Sequence, residues 1–336
     1  MADSEFPNQI RDDARDAWYR YIDFFAPFRP QLFIYCRRLT SDVWDAEDLV
    51  QETMLHGFGV LSRVNSVSNP RGYLVRIATN LWIDIVRRRS TAGRMLDTAL
   101  TDLEREPAGE TDPREVRDAA TRLMQALAPQ ERAALVLKEV FDMSLNEIAD
   151  ALATSVGAVK AALHRGRTRV EEAKRLDTTP SVPVERSIPS PVLVDRFVER
   201  LNASDLQGLL ALMLDTATID MIGNLLEVGR QQFEAKGSWL WHAVHVHPDL
   251  PAELRPPKFV NERAVFDGEP MMLGFIVQGG EKFLMAIARF EELDGRIARL
   301  RAYNFTPEVL QEVGTELGFA VGQVPYRFPT PTAGKN

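Results

Sequence analysis

The sequence holds a single cysteine, Cys36, among its 336 residues. One thiol forms no internal disulfide, and without a cysteine pair no zinc finger or zinc ribbon can organise the fold. Long apolar runs are missing too. The longest obvious one, Met271 to Val277, falls far short of the roughly 18 residues that cross a bilayer, so no membrane partner is expected. The opening stretch, Met1 to Asn8, lacks the charged-then-apolar layout of an export signal, and a cytoplasmic location is the expectation. No repeat recurs at a solenoid period. Positive charge is in deficit: 40 Lys and Arg stand against 48 Asp and Glu, a net charge of −8. Unaided tight binding to a polyanion is therefore disfavoured, because counterion release needs a basic surface. What remains is ordinary: 45% hydrophobic and 26% charged residues describe a soluble chain of two or three domains.

Two composition shifts divide the chain. Asp97 to Asp118 carries eight acidic residues against three arginines, with Pro107, Gly109 and Pro113 among them and almost no apolar periodicity. Asp177 to Pro191 holds Pro180, Pro183, Pro189 and Pro191, which cannot continue a helix. The boundaries follow: a first module over 10–96, a flexible acidic linker over 97–113, a second module over 114–176, a Pro-rich linker over 177–191, a third domain over 192–320 and a Pro/Thr-rich tail over 321–336.

The first two modules read as all-α. In Arg71 to Arg89, Leu74, Ile77, Ala78, Leu81 and Ile85 fall at steps of three and four, so one face is apolar. Arg76, Asn80, Asp84 and Arg87 share the opposite face, and Pro70 suits a first helical turn. Further on, Ser144 to Leu152 predicts a short helix with Leu145, Ile148, Ala149 and Leu152 inward. Ser155 can cap a second helix whose Val156, Val159 and Leu163 pack back on the first. That leaves Ala158, Lys160, Ala161, His164, Arg165 and Arg167 outward. Small side chains allow close approach to base edges while basic ones reach phosphates and guanines, which is what a helix in a major groove needs. A helical hairpin with a merely solvated basic face is the plainer alternative, and the turn carries Ala153-Thr154 where glycine is usual.

The segment LMQALAPQERAALVLKEVFDMSLNEIADALATSVGAVKAALHRGRTRV, Leu123 to Val170, resembles sigma region 4 of extracytoplasmic-function (ECF) sigma factors, which reads the −35 promoter element. AEDLVQET, Ala46 to Thr53, resembles sigma region 2.2, and NPRGYLVRIATNLWIDIVRRR, Asn69 to Arg89, resembles regions 2.3 and 2.4. The resemblance implies binding to core RNA polymerase, at the β′ clamp and the β flap, and to promoter DNA. It places Asp48, Gln51 and Glu52 on the clamp, Arg76, Asn80, Arg87, Arg88 and Arg89 on the −10 element, and Ser155, Ala158, Lys160, Ala161, His164, Arg165 and Arg167 on the −35 element. The loop Ser62 to Asn69 resembles the segment that captures a flipped base. Tyr73 and Trp82 could stack on bases, although Trp82 could equally be a core residue. No catalytic residue, cofactor or metal is implied, since nucleotidyl transfer belongs to the polymerase.

The third domain changes period. Lys258 to Phe266, Met271 to Gln278, Phe283 to Leu293 and Arg296 to Asn304 predict strands, parted by Asp267-Gly268, Gly279-Gly280 and Asp294-Gly295, which are hairpin dipeptides. Helices are expected over Val192 to Leu214, Arg230 to Trp241 and Pro307 to Leu317, giving an α+β meander with helices on one face. The pattern resembles a SnoaL-like cone, which implies modulation of sigma activity through an intramolecular contact with the sigma core. Asp220 and the cluster His242, His245 and His247 could equip a small enzyme or a metal site, but the three histidines fit no single helix or strand face, and packing or interface roles are the expectation. Two alternatives stay open: a C-terminal ligand-binding or catalytic module, and a helix-turn-helix regulator with no sigma role.

Overall fold

The computed structural model describes residues 8–61, 69–96, 127–176, 188–245 and 259–328. The chain divides into two compact units, Met1–Pro183 and Val184–Asn336. The expected acidic linker 97–113, residues 177–187 of the expected Pro-rich linker 177–191, and residues 329–336 of the expected tail 321–336 lie outside the described residues.

The first unit is helical throughout its described residues. Its elements are α1 (Asn8–Phe25), a 3-10 turn (Ala26–Phe28), α2 (Arg29–Thr40), α3 (Val43–Leu61), α4 (Pro70–Leu96), α5 (Pro129–Glu139), α6 (Leu145–Ala151) and α7 (Val156–Leu176). Helix α4 begins at Pro70 as expected, where Asn69 accepts the Gly72 N–H at 2.9 Å and caps the first turn. Its apolar face is buried through Leu74, Ile77 and Ala78. Beneath it α2 and α3 are pinned by a buried ion pair between Arg29 and Glu47. Tyr35 joins α2 to α4 through Thr79, oxygen to oxygen at 2.7 Å.

Helices α6 and α7 form the expected helix-turn-helix. Ser144 accepts the Glu147 N–H and the Glu147 carboxylate accepts the Ser144 N–H, a reciprocal cap that closes the start of α6. Those hydrogen bonds hold the Glu147 carboxyl below its usual range. Ser155 accepts the Ala158 N–H at 3.2 Å and starts α7. Between them Ala153 sits at φ +49°, in the left-handed region where a Cβ is crowded.

The second unit contains α8 (Pro191–Asn202), α9 (Leu206–Ala211), β1 (Met213–Met221), β2 (Leu225–Val228), α10 (Arg230–Glu234), α11 (Trp239–Val244), β3 (Val260–Phe266), β4 (Glu269–Gln278), β5 (Glu281–Leu293), β6 (Arg296–Ala302), α12 (Pro307–Leu317) and β7 (Ala320–Val321). The strand order is β2-β1-β6-β5-β4-β3, with β7 pairing β5. The three hairpins fall where the dipeptides place them. Both central residues of each turn have positive φ, as the twist of tight antiparallel pairs requires.

Three expectations fail here. The helix over Val192 to Leu214 is two short helices and the start of a strand. The chain turns at Ser204 with φ +56°, Asp205 caps α9 by accepting the Gly208 N–H, and Met213 onward alternates in the strand period. The helix over Arg230 to Trp241 is also two, broken at Gly237 with φ +97° and restarted by the Ser238 cap. The sheet is not a simple meander either, because β1 runs parallel to β6.

Apolar side chains from β1, β6 and β5 meet α8 in the core, where Phe197 packs edge-on against Phe290 at 5.0 Å. The opposite side of the same strands carries charge. Arg289 grips Glu269 with two hydrogen bonds, 2.8 and 2.5 Å, and both side chains are about nine-tenths buried. Burial opposes the Arg289 charge, but Glu269 and Tyr303 more than offset it and its pKa is raised.

Two stability effects follow. Glu269→Ala leaves a buried guanidinium without its carboxylate and should destabilise the C-terminal unit by about 3–5 kcal/mol, read as a loss in chemical denaturation monitored within that unit. Ala153→Gly relieves the left-handed strain and should stabilise the N-terminal unit by about 0.5–1 kcal/mol after the extra chain entropy of glycine is counted. A melting temperature that falls in the glycine variant would contradict this account of the turn.

Candidate nucleic-acid interface

Helix α7 is oriented from within. Val159, Ala162 and Leu163 are buried, and Gly166 lets the helix lie against α5, since a Cβ there would fall 2.7 Å from Leu135. The decisive contact is Glu131, whose side chain is only 4% exposed. Its carboxylate accepts from Arg165 at 2.9 Å, from Arg169, and from the Ala128 N–H at 3.2 Å. Arg167 pairs with Glu139 at 2.7 Å on the exposed side. Of the residues expected on this surface, Ser155, Ala158, Lys160, Ala161 and His164 are exposed on consecutive turns. Arg165 and Arg167 are exposed as well, yet each is engaged by a glutamate of α5. Sequence reading did not single out Glu131. The signal available was its place two residues after Pro129, where a carboxylate caps a helix start.

Helix α4 presents Arg76, Asn80, Asp84, Arg87 and Arg88 to solvent, as its periodicity predicts. Asp84 lies 3.6 Å from Arg87, and its carbonyl accepts from Arg88 at 3.3 Å, so part of the basic charge is locally balanced. The Arg89 side chain lies outside the described residues, and so do residues 62–68 of the expected base-capturing loop. Of the two aromatic candidates, Trp82 is a core residue: it is 4% exposed and lies under the Arg132 guanidinium at 5.2 Å. Tyr73 is partly buried and donates its hydroxyl to the Gly57 carbonyl at 2.8 Å.

On α3, Asp48, Gln51 and Glu52 share one side. Glu52 is exposed, while Asp48 and Gln51 are half-buried. The Gln51 amide donates to Glu47 at 2.5 Å, so it also supports the buried Arg29 pair. Leu55, 57% exposed, continues the same strip one turn on and was missed in the sequence although it stands three residues after Glu52.

The C-terminal unit offers less chemistry than its residue types suggest. Asp220 is bound by Arg299 at 2.6 Å and lies 3.7 Å from Arg301. His245 stacks on Trp241 at 4.4 Å and hydrogen bonds its carbonyl, and His247 lies outside the described residues. Among the described residues no three His, Cys, Asp or Glu side chains converge as a metal site would need. None of the helices described is long and apolar enough to cross a membrane.

Two family models match the chain: Sigma-70 region 2 over residues 24–91 and Sigma-70, region 4 over residues 117–170. The ECF RNA polymerase sigma factor SigG of Mycobacterium tuberculosis is 31% identical over 226 residues, covering 58% of this chain and 59% of that protein. The chain thus spans about three fifths of that relative's length. The probable ECF RNA polymerase sigma factor SigI of the same organism is 25% identical over 291 residues, 84% of this chain and 91% of the relative. The RNA polymerase sigma-E factor of Streptomyces coelicolor is 30% identical over 137 residues, 40% of this chain and 75% of the relative. With both regions matched in order and three quarters of one such relative covered, this chain belongs to the ECF group of the sigma-70 family of RNA polymerase sigma factors.

Proposed function

We propose that this protein binds core RNA polymerase, recognises the −35 and −10 elements of its promoters, melts the −10 region and so starts transcription. The observation that carries the reading is the pairing, in one chain, of a capped helix α7 exposing Ala158, Lys160, Ala161 and His164 with a helix α4 exposing Arg76, Asn80, Arg87 and Arg88. In this reading α7 enters the major groove of the −35 element. Its N-terminal end brings Ser155 and the small alanines to the base edges, and Lys160, His164 and Arg167 lie toward phosphates. Helix α4 faces the −10 element, with Asn80 offering donor and acceptor to a base and its arginines, Arg89 included, reaching the backbone. The strip Asp48, Gln51 and Glu52, extended by Leu55, meets the basic β′ clamp, and the second module meets the β flap. No bond-making step falls to this chain.

The C-terminal unit, in this reading, is a SnoaL-like domain that modulates the sigma modules in cis. Its Asp220 is committed to an ion pair and its His245 to a Trp241 stack, which favours a regulatory role over a catalytic one.

Transcription in vitro tests the reading: core polymerase, the full chain, and promoters selected by the protein from random DNA. Specific transcripts are expected, and their absence with polymerase proven active would end it. Lys160→Ala should weaken promoter binding by the holoenzyme and lower the slope of log affinity against log salt by about one. An unchanged slope would remove Lys160 from the phosphate contacts. A chain ending at Arg186 should still bind polymerase but transcribe at a different rate, whereas equal rates would remove regulation in cis.

A further inference from the structure

Glu131 holds its arginines differently from the way Glu139 holds Arg167. Both side chains of the Arg167 pair are more than half exposed, and a pair of that kind exchanges readily with water or another anion. Glu131 is buried, while its partners are not: Arg165 and Arg169 keep 54% and 45% of their side chains in solvent. The carboxylate grips Arg165 through Nε alone, at 2.9 Å, and the two terminal nitrogens of that guanidinium have no hydrogen-bond partner among the described residues. Arg169 takes the other carboxylate oxygen, which also accepts the Ala128 N–H. Two guanidiniums on one carboxylate leave the cluster positive, so the grip does not cancel its attraction for DNA.

Arg165 also stands in line with small residues. Ala158, Ala161 and Arg165 fall at i, i+3 and i+7, a single stripe of α7, and all three are exposed. Two alanine side chains leave room for a groove floor to come close. Side chains on a helix lean toward its N-terminus, which directs the arginine back over the space that the alanines leave.

We propose that Glu131 is a positioning residue for promoter reading: by holding Arg165 at Nε it presents both terminal nitrogens, already oriented, to the O6 and N7 acceptors of one guanine in the −35 element. The inference rests on the function proposed above and deepens it. A phosphate accepts an arginine from many directions, and Lys160 and Arg167 have the freedom that suits such contacts. A base edge accepts two parallel hydrogen bonds in one plane only, and a guanidinium held beforehand loses less freedom in making them. Glu131 keeps every buried contact throughout, because the Nε bond survives when the terminal nitrogens reach the base.

The test uses holoenzyme made from core polymerase and the full chain, bound to −35 elements in which each base pair is changed in turn. The parent should prefer guanine at one position by about tenfold or more, and a guanine analogue with carbon in place of N7 should forfeit most of that preference. Arg165→Ala and Arg165→Lys should both flatten this position and no other, since an ammonium cannot donate in parallel. Glu131→Gln has nearly the same shape, keeps an acceptor for the Ala128 N–H and leaves no buried charge unpaired, so the module should still fold. It should flatten the same position while binding guanine-free elements at least as tightly as the parent, because one negative charge is gone. A brace with a merely structural role would weaken every element alike, and that result would overturn the proposal. An Arg165→Lys variant that matches the parent would overturn it too, by making Arg165 a phosphate contact. NMR of the free chain gives a reading that needs no promoter: the Arg165 Nε–H should exchange slowly with water in the parent and fast in Glu131→Gln. If the parent holoenzyme selects no −35 element, the proposed function falls, whereas fast exchange in the parent removes the grip of Glu131 on its own.

Discussion

The geometry of the helix-turn-helix hangs on one buried carboxylate. Glu131 takes hydrogen bonds from two arginines of α7 and from the backbone at the start of its own helix. A buried acid is costly unless its lone pairs are filled, and here two of the three donors are arginines of α7. The carboxylate fixes the rotation of α7 about its axis, and so decides which residues turn outward. It also sorts the basic residues of that helix. Arg165 and Arg169 brace the helix against Glu131, whereas Lys160, five residues before Arg165, and His164 are exposed.

Much of this was legible because it is local. Step-three-and-four spacing located the buried and exposed sides of α4, serine caps located α6 and α7, and paired turn residues located three hairpins to within two or three residues. The failures share a cause. Trp82 has the same local pattern whether it stacks on a base or packs in a core, and the guanidinium that decides the matter arrives from α5, far along the chain. Gln51 reads as a surface residue until Glu47 and Arg29 are seen to form a buried pair beneath it. The start of strand β1, Met213 and Leu214, was taken into the helix expected over Val192 to Leu214. Its partner β6 lies some eighty residues on, and parallel pairing carries no turn signal. The histidine cluster was expected to serve packing before chemistry, and His245 does lie on the Trp241 ring.

The acidic balance of the chain fits a protein that does not hold DNA alone. Lys and Arg are outnumbered by eight, and several of the exposed arginines on α4 and α7 are partly neutralised by Asp84, Glu131 and Glu139. Each module by itself would then offer only a few phosphate contacts, and few contacts supply little affinity at physiological salt. Two such modules tethered on a large partner behave differently. Once one is seated, the other searches at an effective concentration set by the span between them, so modest contacts suffice.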